Sequence, residues 1–200
     1  MISPSPIAVV PLATYYMIMS ITPGPNNVML TTSGATFGFH RTLPHVSGIV
    51  SGCALQTFLL CIGFGVVFTY FPWLQGVLKW CGAAYLIYLA YKLVGARIAK
   101  ATAVVNPLTF FDAALFQVVN PKAWVKAITT ATLFLPPGTS AWAAGIRIFT
   151  ICALVNFVSG SIWTSFGVGI GKLLTNEFRL RLFNVGMALL LIGTAIIVVI

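Results

Sequence analysis

The sequence predicts an all-α integral membrane protein whose six transmembrane helices form two inverted three-helix repeats. Of its 200 residues, 59% are apolar, and only eleven are basic and two acidic, whereas about a quarter of a soluble domain is charged. The gaps between charges are long enough to cross a hydrocarbon core of about 30 Å, which requires about 20 helical residues. We therefore expect one transmembrane domain, residues 1–200, embedded in the lipid bilayer.

Six apolar runs define the predicted spans: Ile7–Thr31, Val46–Tyr70, Trp73–Val94, Asp112–Pro136, Ile148–Ile170 and Phe183–Ile200. Uncharged turn sequences join the second span to the third and the fourth to the fifth. A basic segment at about 95–111 follows the third span, so the first repeat covers about 7–94 and the second about 112–200.

The basic residues predict the orientation. Seven lie in or beside the first, third and fifth loops: Arg41, Lys92, Arg97, Lys100, Lys172, Arg179 and Arg181. Only Lys79 and Arg147 lie toward the other side. The positive-inside rule then places those three loops in the cytoplasm and both termini outside it. Because topology accounts for the net charge of +9, no nucleic-acid partner is expected.

Both predicted repeats begin with an interrupted span. A repeat with three crossings must recur upside down, which is typical of transporters, and matched Gly/Pro breaks in the two halves indicate a binding site near the bilayer midplane. The break in the first span is Thr22, Pro23, Gly24, Pro25, Asn26 and Asn27, and that in the fourth is Asn120, Pro121 and Lys122.

The residues of the first break suit a zwitterionic ligand. Pro23 and Pro25 cannot continue a helical hydrogen-bond ladder, and the freed backbone groups must lie in protein or in a wet cavity. Unwound carbonyls and a half-helix N-terminus can bind an ammonium and a carboxylate, and Asn26 and Asn27 add donors and acceptors. We therefore predict all six residues, Thr22 to Asn27, as substrate-binding; the alternative is a proline kink that only shapes the bundle.

The second break adds a charge near the bilayer centre. Such a charge costs about 2.5–3.5 kcal/mol even on the lenient insertion scale, so it must face a cavity or a partner. Lys122 is predicted to bind an anion, to balance charge or to titrate, unless it extends to the interface or bonds carbonyls freed by Pro121. Asn120, Pro121, Lys122 and Asn156 complete the predicted substrate-binding set.

Few groups are available to carry protons. The candidates are Asp112, Lys126 and His45, although Asp112 also suits a helix start and His45 an interfacial position. Glu177 lies among basic residues and is interpreted as a solvated loop charge.

Other classes of function fit the sequence less well. The alternative hypothesis, a membrane thiol–disulfide electron relay, would use Cys53, Cys61, Cys81 and Cys152, but no C-x-x-C pair occurs. No metal site, cofactor or enzyme activity is predicted, since the sequence has no H-E-x-x-H or G-x-S-x-G motif. Matched helix breaks also favour a closed central site over a passive channel.

Over its whole length the chain resembles the LysE/RhtB family of amino-acid exporters. The residues that carry the resemblance are the two breaks together with Gly38, Gly48 and Gly52. Within that family, the stretches 82–86 and 116–120 are similar to those of cysteine/O-acetylserine exporters. The resemblance implies a bacterial inner-membrane exporter of small amino acids, driven by the proton motive force. Glycine faces would permit a homodimer.

Overall fold

The computed structural model describes residues 8–95, 107–136, 139–174 and 176–200. Ile7, Arg97, Lys100, Pro137 and most of the basic segment at 95–111 therefore lie outside the described residues. The described chain folds into nine α-helices: α1 Val9–Ile21, α2 Pro25–Phe37, α3 Phe39–Cys61, α4 Val67–Tyr70, α5 Trp73–Gly95, α6 Phe110–Val119, α7 Pro121–Leu133, α8 Ala141–Gly171 and α9 Glu177–Val199. One 3₁₀ turn, Phe64–Val66, precedes α4.

Four of these helices, α3, α5, α8 and α9, are long and apolar enough to cross a membrane, and α1 and α6 are shorter apolar helices. The short helices belong to two interrupted pairs, α1–α2 and α6–α7. Each interruption lies beside a proline, because the residue before a proline is driven out of the helical region. Thr22, Gly24 and Asn120 accordingly have extended backbones.

The helices begin and end at local signals that hydropathy alone does not detect. Gly38 and Gly63 adopt left-handed φ angles of 82° and 104°. Gly38 ends α2, and Gly63 separates α3 from the 3₁₀ turn that follows it. Asn176 caps α9 by accepting the amide of Arg179, so α9 begins six residues before the predicted span. α3 and α8, which correspond to the second and fifth predicted spans, also start seven residues before those spans. These helices continue through interfacial residues that the apolar runs exclude.

The packing places the two interruptions together. α3 and α8 contact each other along the centre, α1 and α2 pack on α8, α6 and α7 pack on α3, and α5 pairs with α9. Glycines allow the closest approaches: a Cβ added at Gly167 would lie 2.1 Å from the carbonyl oxygen of Thr31, and one at Gly48 would lie 2.2 Å from that of Phe110. The middle of α2 and the N-terminal end of α6 are thereby held directly against α8 and α3.

Candidate functional site

The first interruption satisfies its freed carbonyls with side chains. The Asn27 side-chain amide donates to the carbonyl oxygens of Ser20 at 2.9 Å and Thr22 at 2.8 Å. The Lys122 ammonium, which comes from the second interruption, donates to the same Thr22 carbonyl and to that of Pro23 at 3.3 Å. The C-terminal end of α1 is thus a small cradle of carbonyls that already binds a cation.

The second interruption is capped internally. The Asn120 side chain accepts the backbone amide of Lys122 at 3.1 Å, which caps α7, and donates to Gln117 at 3.0 Å. Gln117 and Asn26 form a reciprocal amide pair, with distances of 2.9 and 3.1 Å. This pair links the two interruptions directly.

Lys126 forms the centre of a buried polar cluster. Its side chain is only 5% exposed, and its ammonium donates to Asn156 Oδ1 at 2.9 Å and Ser20 Oγ at 3.3 Å. Ser20 also donates to Asn156 at 2.8 Å, and the Tyr16 ring faces the ammonium at 5.3 Å. Both acceptors of this buried ammonium, Asn156 Oδ1 and Ser20 Oγ, are neutral oxygens.

Two cavities adjoin these groups. The smaller has a volume of about 30 Å³, room for about one water molecule. A larger and mostly apolar cavity of about 640 Å³ lies beside it, and Lys122 and Met19 line both. Displacing the Lys122 side chain would therefore connect the two cavities.

The small cavity has a strongly positive character. Both lysines line it, whereas the two carboxylates of the sequence lie elsewhere. Asp112 is exposed and forms a capping box with Thr109, whose hydroxyl lies 2.6 Å from its carboxylate, and Glu177 begins α9. The first turn of α2 adds to this positive character. Gly24, at the N-cap of α2, supplies no capping side chain, so the backbone N–H groups of that turn remain available to an anion.

Two polar atoms on α8 remain unused beside the cavity. Asn156 Nδ2 and Ser159 Oγ are buried and have no hydrogen-bond partner in the part of the chain that the structure describes. Both residues line the small cavity and are 6% and 2% exposed. Because an unpaired buried polar atom is costly, a ligand in the cavity would gain from contacting them.

The structure brings most of the predicted site residues together. Eight line the small cavity: Gly24, Pro25, Asn26, Asn27, Asn120, Lys122, Lys126 and Asn156. Thr22, Pro23 and Pro121 line the larger cavity instead, and the side chains of Thr22 and Pro23 are exposed although their carbonyls face Lys122.

Asp112 and His45 line neither cavity. His45 is 1% exposed, and neither ring nitrogen has a partner among the described residues. The cysteines are free thiols, three buried and Cys81 exposed, and the described residues contain no cluster of metal-ligating side chains.

Sequence reasoning missed three contributors: Ser20, Gln117 and Ser159. A signal existed for Gln117, which lies three residues before Asn120 and so on the same face of a helix. Ser20 and Ser159 carried no such signal, because a serine in an apolar helix usually bonds its own backbone.

Comparison with known proteins identifies the family of the chain. The model of the LysE type translocator family matches residues 17–200. The chain belongs to the LysE family. This assignment confirms the resemblance read from the sequence and identifies a helical membrane transporter.

The relatives include the cysteine/O-acetylserine efflux protein of Escherichia coli O157:H7, which is 31% identical over 188 residues, covering 92% of this chain and 93% of the relative. The protein of the same name from Shigella flexneri serotype 5b (strain 8401) is 29% identical, covering 96% and 97%. No solved structure matches the chain significantly.

Proposed function

We propose that this LysE-family protein is a secondary exporter that moves small amino acids or derivatives, of the cysteine/O-acetylserine or neutral class, out of the cytoplasm. One observation carries the proposal: two proline-interrupted helices meet at one buried cavity that contains two ammonium groups and no carboxylate. Half-helix ends at such a site suit a zwitterion. The efflux function named for the relatives supports the same direction of transport.

The proposed architecture is six spans in two inverted repeats, α1–α2, α3 and α5 followed by α6–α7, α8 and α9. The packing supports this division, since each interrupted pair packs on the long helix of the other half. A two-fold axis in the membrane plane would generate this exchange of partners.

We assign both termini to the extracytoplasmic side of a bacterial inner membrane. The positive-inside rule supports this orientation. The exposed Trp73, Trp80 and Trp142 then lie near the outer ends of their helices, where they suit an interfacial aromatic belt. A Cβ added at Gly76, Gly186 or Gly193 would meet no atom within 4 Å, so these faces permit a homodimer.

Substrate recognition follows from the lining. The first-turn amides of α2 and the Lys126 ammonium would bind the carboxylate, and Asn156 and Ser159 would contact a polar side chain.

Among the three candidates for proton coupling, Lys126 alone lines the cavity. We therefore propose that Lys126 couples substrate binding to the proton motive force. Asp112 is occupied in a helix cap, and His45 lies away from the lining.

Counterflow in proteoliposomes tests this function with a panel of labelled small amino acids. Vesicles that contain the wild-type protein and unlabelled substrate should accumulate labelled substrate. Lys126→Met should lose at least 90% of that activity because the substrate carboxylate loses the Lys126 ammonium. Lys172→Met, which removes an exposed lysine beyond α8, should retain it. Absence of counterflow for every member of the panel would contradict the proposed function.

A further inference from the structure

The position of the Lys122 ammonium has a consequence for the substrate's own amine. Lys122 reaches from α7 to the C-terminal end of α1, where its ammonium contacts the carbonyl oxygens of Thr22 and Pro23. These carbonyls lie where the helix is interrupted, at the partially negative end of α1. They are therefore the natural acceptors for a cation at the edge of the larger cavity, which Thr22 and Pro23 line.

Other acceptors near the cavity are already shared among several donors. Asn156 Oδ1 accepts from Ser20 and Lys126, and Gln117 Oε1 accepts from Asn26, Asn120 and the Cys53 thiol. An incoming α-ammonium would have to compete with two or three protein donors at either place. At the α1 cradle Asn27 also donates to the Thr22 carbonyl, but the incoming group would exchange with Lys122, which presents the same chemistry: a tetrahedral ammonium with three N–H donors and one positive charge.

We infer that the Lys122 ammonium occupies the subsite of the substrate's α-ammonium and yields it when substrate binds. The inference rests on the proposed function and identifies the ligand class as a primary amine bearing a carboxylate. The exchange conserves charge at the cradle, because one ammonium replaces another. The displaced ammonium can move toward the larger cavity, which Lys122 also lines.

The cavities fit this exchange. An amino acid is larger than the small cavity of about 30 Å³, so substrate binding needs additional space. Lys122 lines both this cavity and the neighbouring one of about 640 Å³, and its displacement joins them.

The exchange gives Lys122 a defined place in the transport cycle. When the carrier returns without substrate, the tethered ammonium fills the cradle and takes the place of a counter-substrate. Net efflux includes that return, whereas one-for-one exchange of substrate across the membrane does not. Loss of the tethered ammonium should therefore impair net efflux much more than exchange.

Gly24 allows the same contact to be perturbed without removing the charge. A Cβ added at Gly24 would lie 2.9 Å from Lys122 Cδ and 3.1 Å from Nζ, so the lysine side chain must shift from its present position at the cradle. The backbone of Gly24 is extended, with φ −176°, a conformation open to alanine.

The experiment measures net efflux and exchange of the best substrate from the counterflow panel in proteoliposomes. Lys122→Met and Gly24→Ala should lower the ratio of net efflux to exchange at least tenfold relative to wild type, and Lys172→Met should leave it unchanged. Millimolar methylammonium should restore net efflux at least threefold in Lys122→Met, because it fills the vacant cradle, and should not stimulate wild type.

An unchanged ratio in Lys122→Met, or an equal fall of both activities without rescue by methylammonium, would overturn the inference. If Lys122→Met does not insert, Gly24→Ala decides by the same ratio. A wild-type protein that catalyses neither activity refutes the proposed function itself, whereas an active wild type with unaltered variant ratios refutes only the role of Lys122.

Discussion

The two helix interruptions are built from the same residue types in opposite order, and the order determines what each can do. In the second, Asn120 precedes Pro121, so its side chain stands at the N-cap of α7 and accepts a first-turn amide. In the first, Asn26 and Asn27 follow Pro25 and already lie inside α2, where Asn27 points back to the carbonyls of α1. The second interruption thus satisfies its own helix start, and the first leaves amides available for a ligand.

The largest expected effect is on stability, and the same substitution to aspartate should distinguish Asn27 from Asn120. Asn27→Asp removes both donors to the carbonyls of Ser20 and Thr22 and should lower the free energy of unfolding by about 3 kcal/mol. Asn120→Asp keeps the capping acceptor and places its negative charge at the positive N-terminal end of α7, which stabilises it. It loses the bond to Gln117, so it should lower that energy by about 1 kcal/mol.

Thermal and denaturant unfolding of the detergent-solubilised protein measures both values. Asn176→Asp, the same change at the exposed cap of α9, is the control and should stay within about 0.5 kcal/mol of wild type. Equal destabilisation at positions 27 and 120 would show that the two interruptions do not differ as described.

A second expectation concerns the open helix start of α2. Gly24→Ser adds a hydroxyl that can cap the amides, and Gly24→Ala adds the same carbon without it. A competing cap of about 1 kcal/mol should raise the KM for exchange about fivefold in the serine variant relative to the alanine variant. The alanine variant is the matched control, because both carbons displace Lys122 alike. Equal KM values would mean that the substrate carboxylate does not use these amides.

The sequence predicts the two interruptions because proline acts locally. The extended backbones of Thr22, Gly24 and Asn120 follow from the proline that comes next in the chain, and burial of a charge in lipid requires Lys122 to find partners. Family membership was likewise readable from these residues.

The partners themselves could not be predicted. The bond between Lys122 and the Thr22 carbonyl spans a hundred residues, and the bond between Ser20 and Asn156 spans 136, so both depend on how helices pack rather than on local pattern. The exposed cap formed by Asp112 also required the structure, since a scarce carboxylate suits a helix start and a proton site equally well. α2 and α9 also extend beyond the predicted apolar runs, to the caps at Gly38 and Asn176. Capping depends on a side chain or on a φ angle, and hydropathy measures neither.

The smallest expected effect tests which helix reads the substrate side chain. If the interruptions bind the backbone of the amino acid, selectivity must come from α8, where Ser159 presents a buried hydroxyl without a partner among the described residues. Ser159→Ala should raise the KM for serine or O-acetylserine about threefold, the value of one net hydrogen bond, and leave the KM for alanine unchanged. Competition against one labelled substrate measures both values in the same vesicles. A parallel loss for alanine would instead assign Ser159 to the packing of α8, and the side-chain contact would have to come from the interrupted helices.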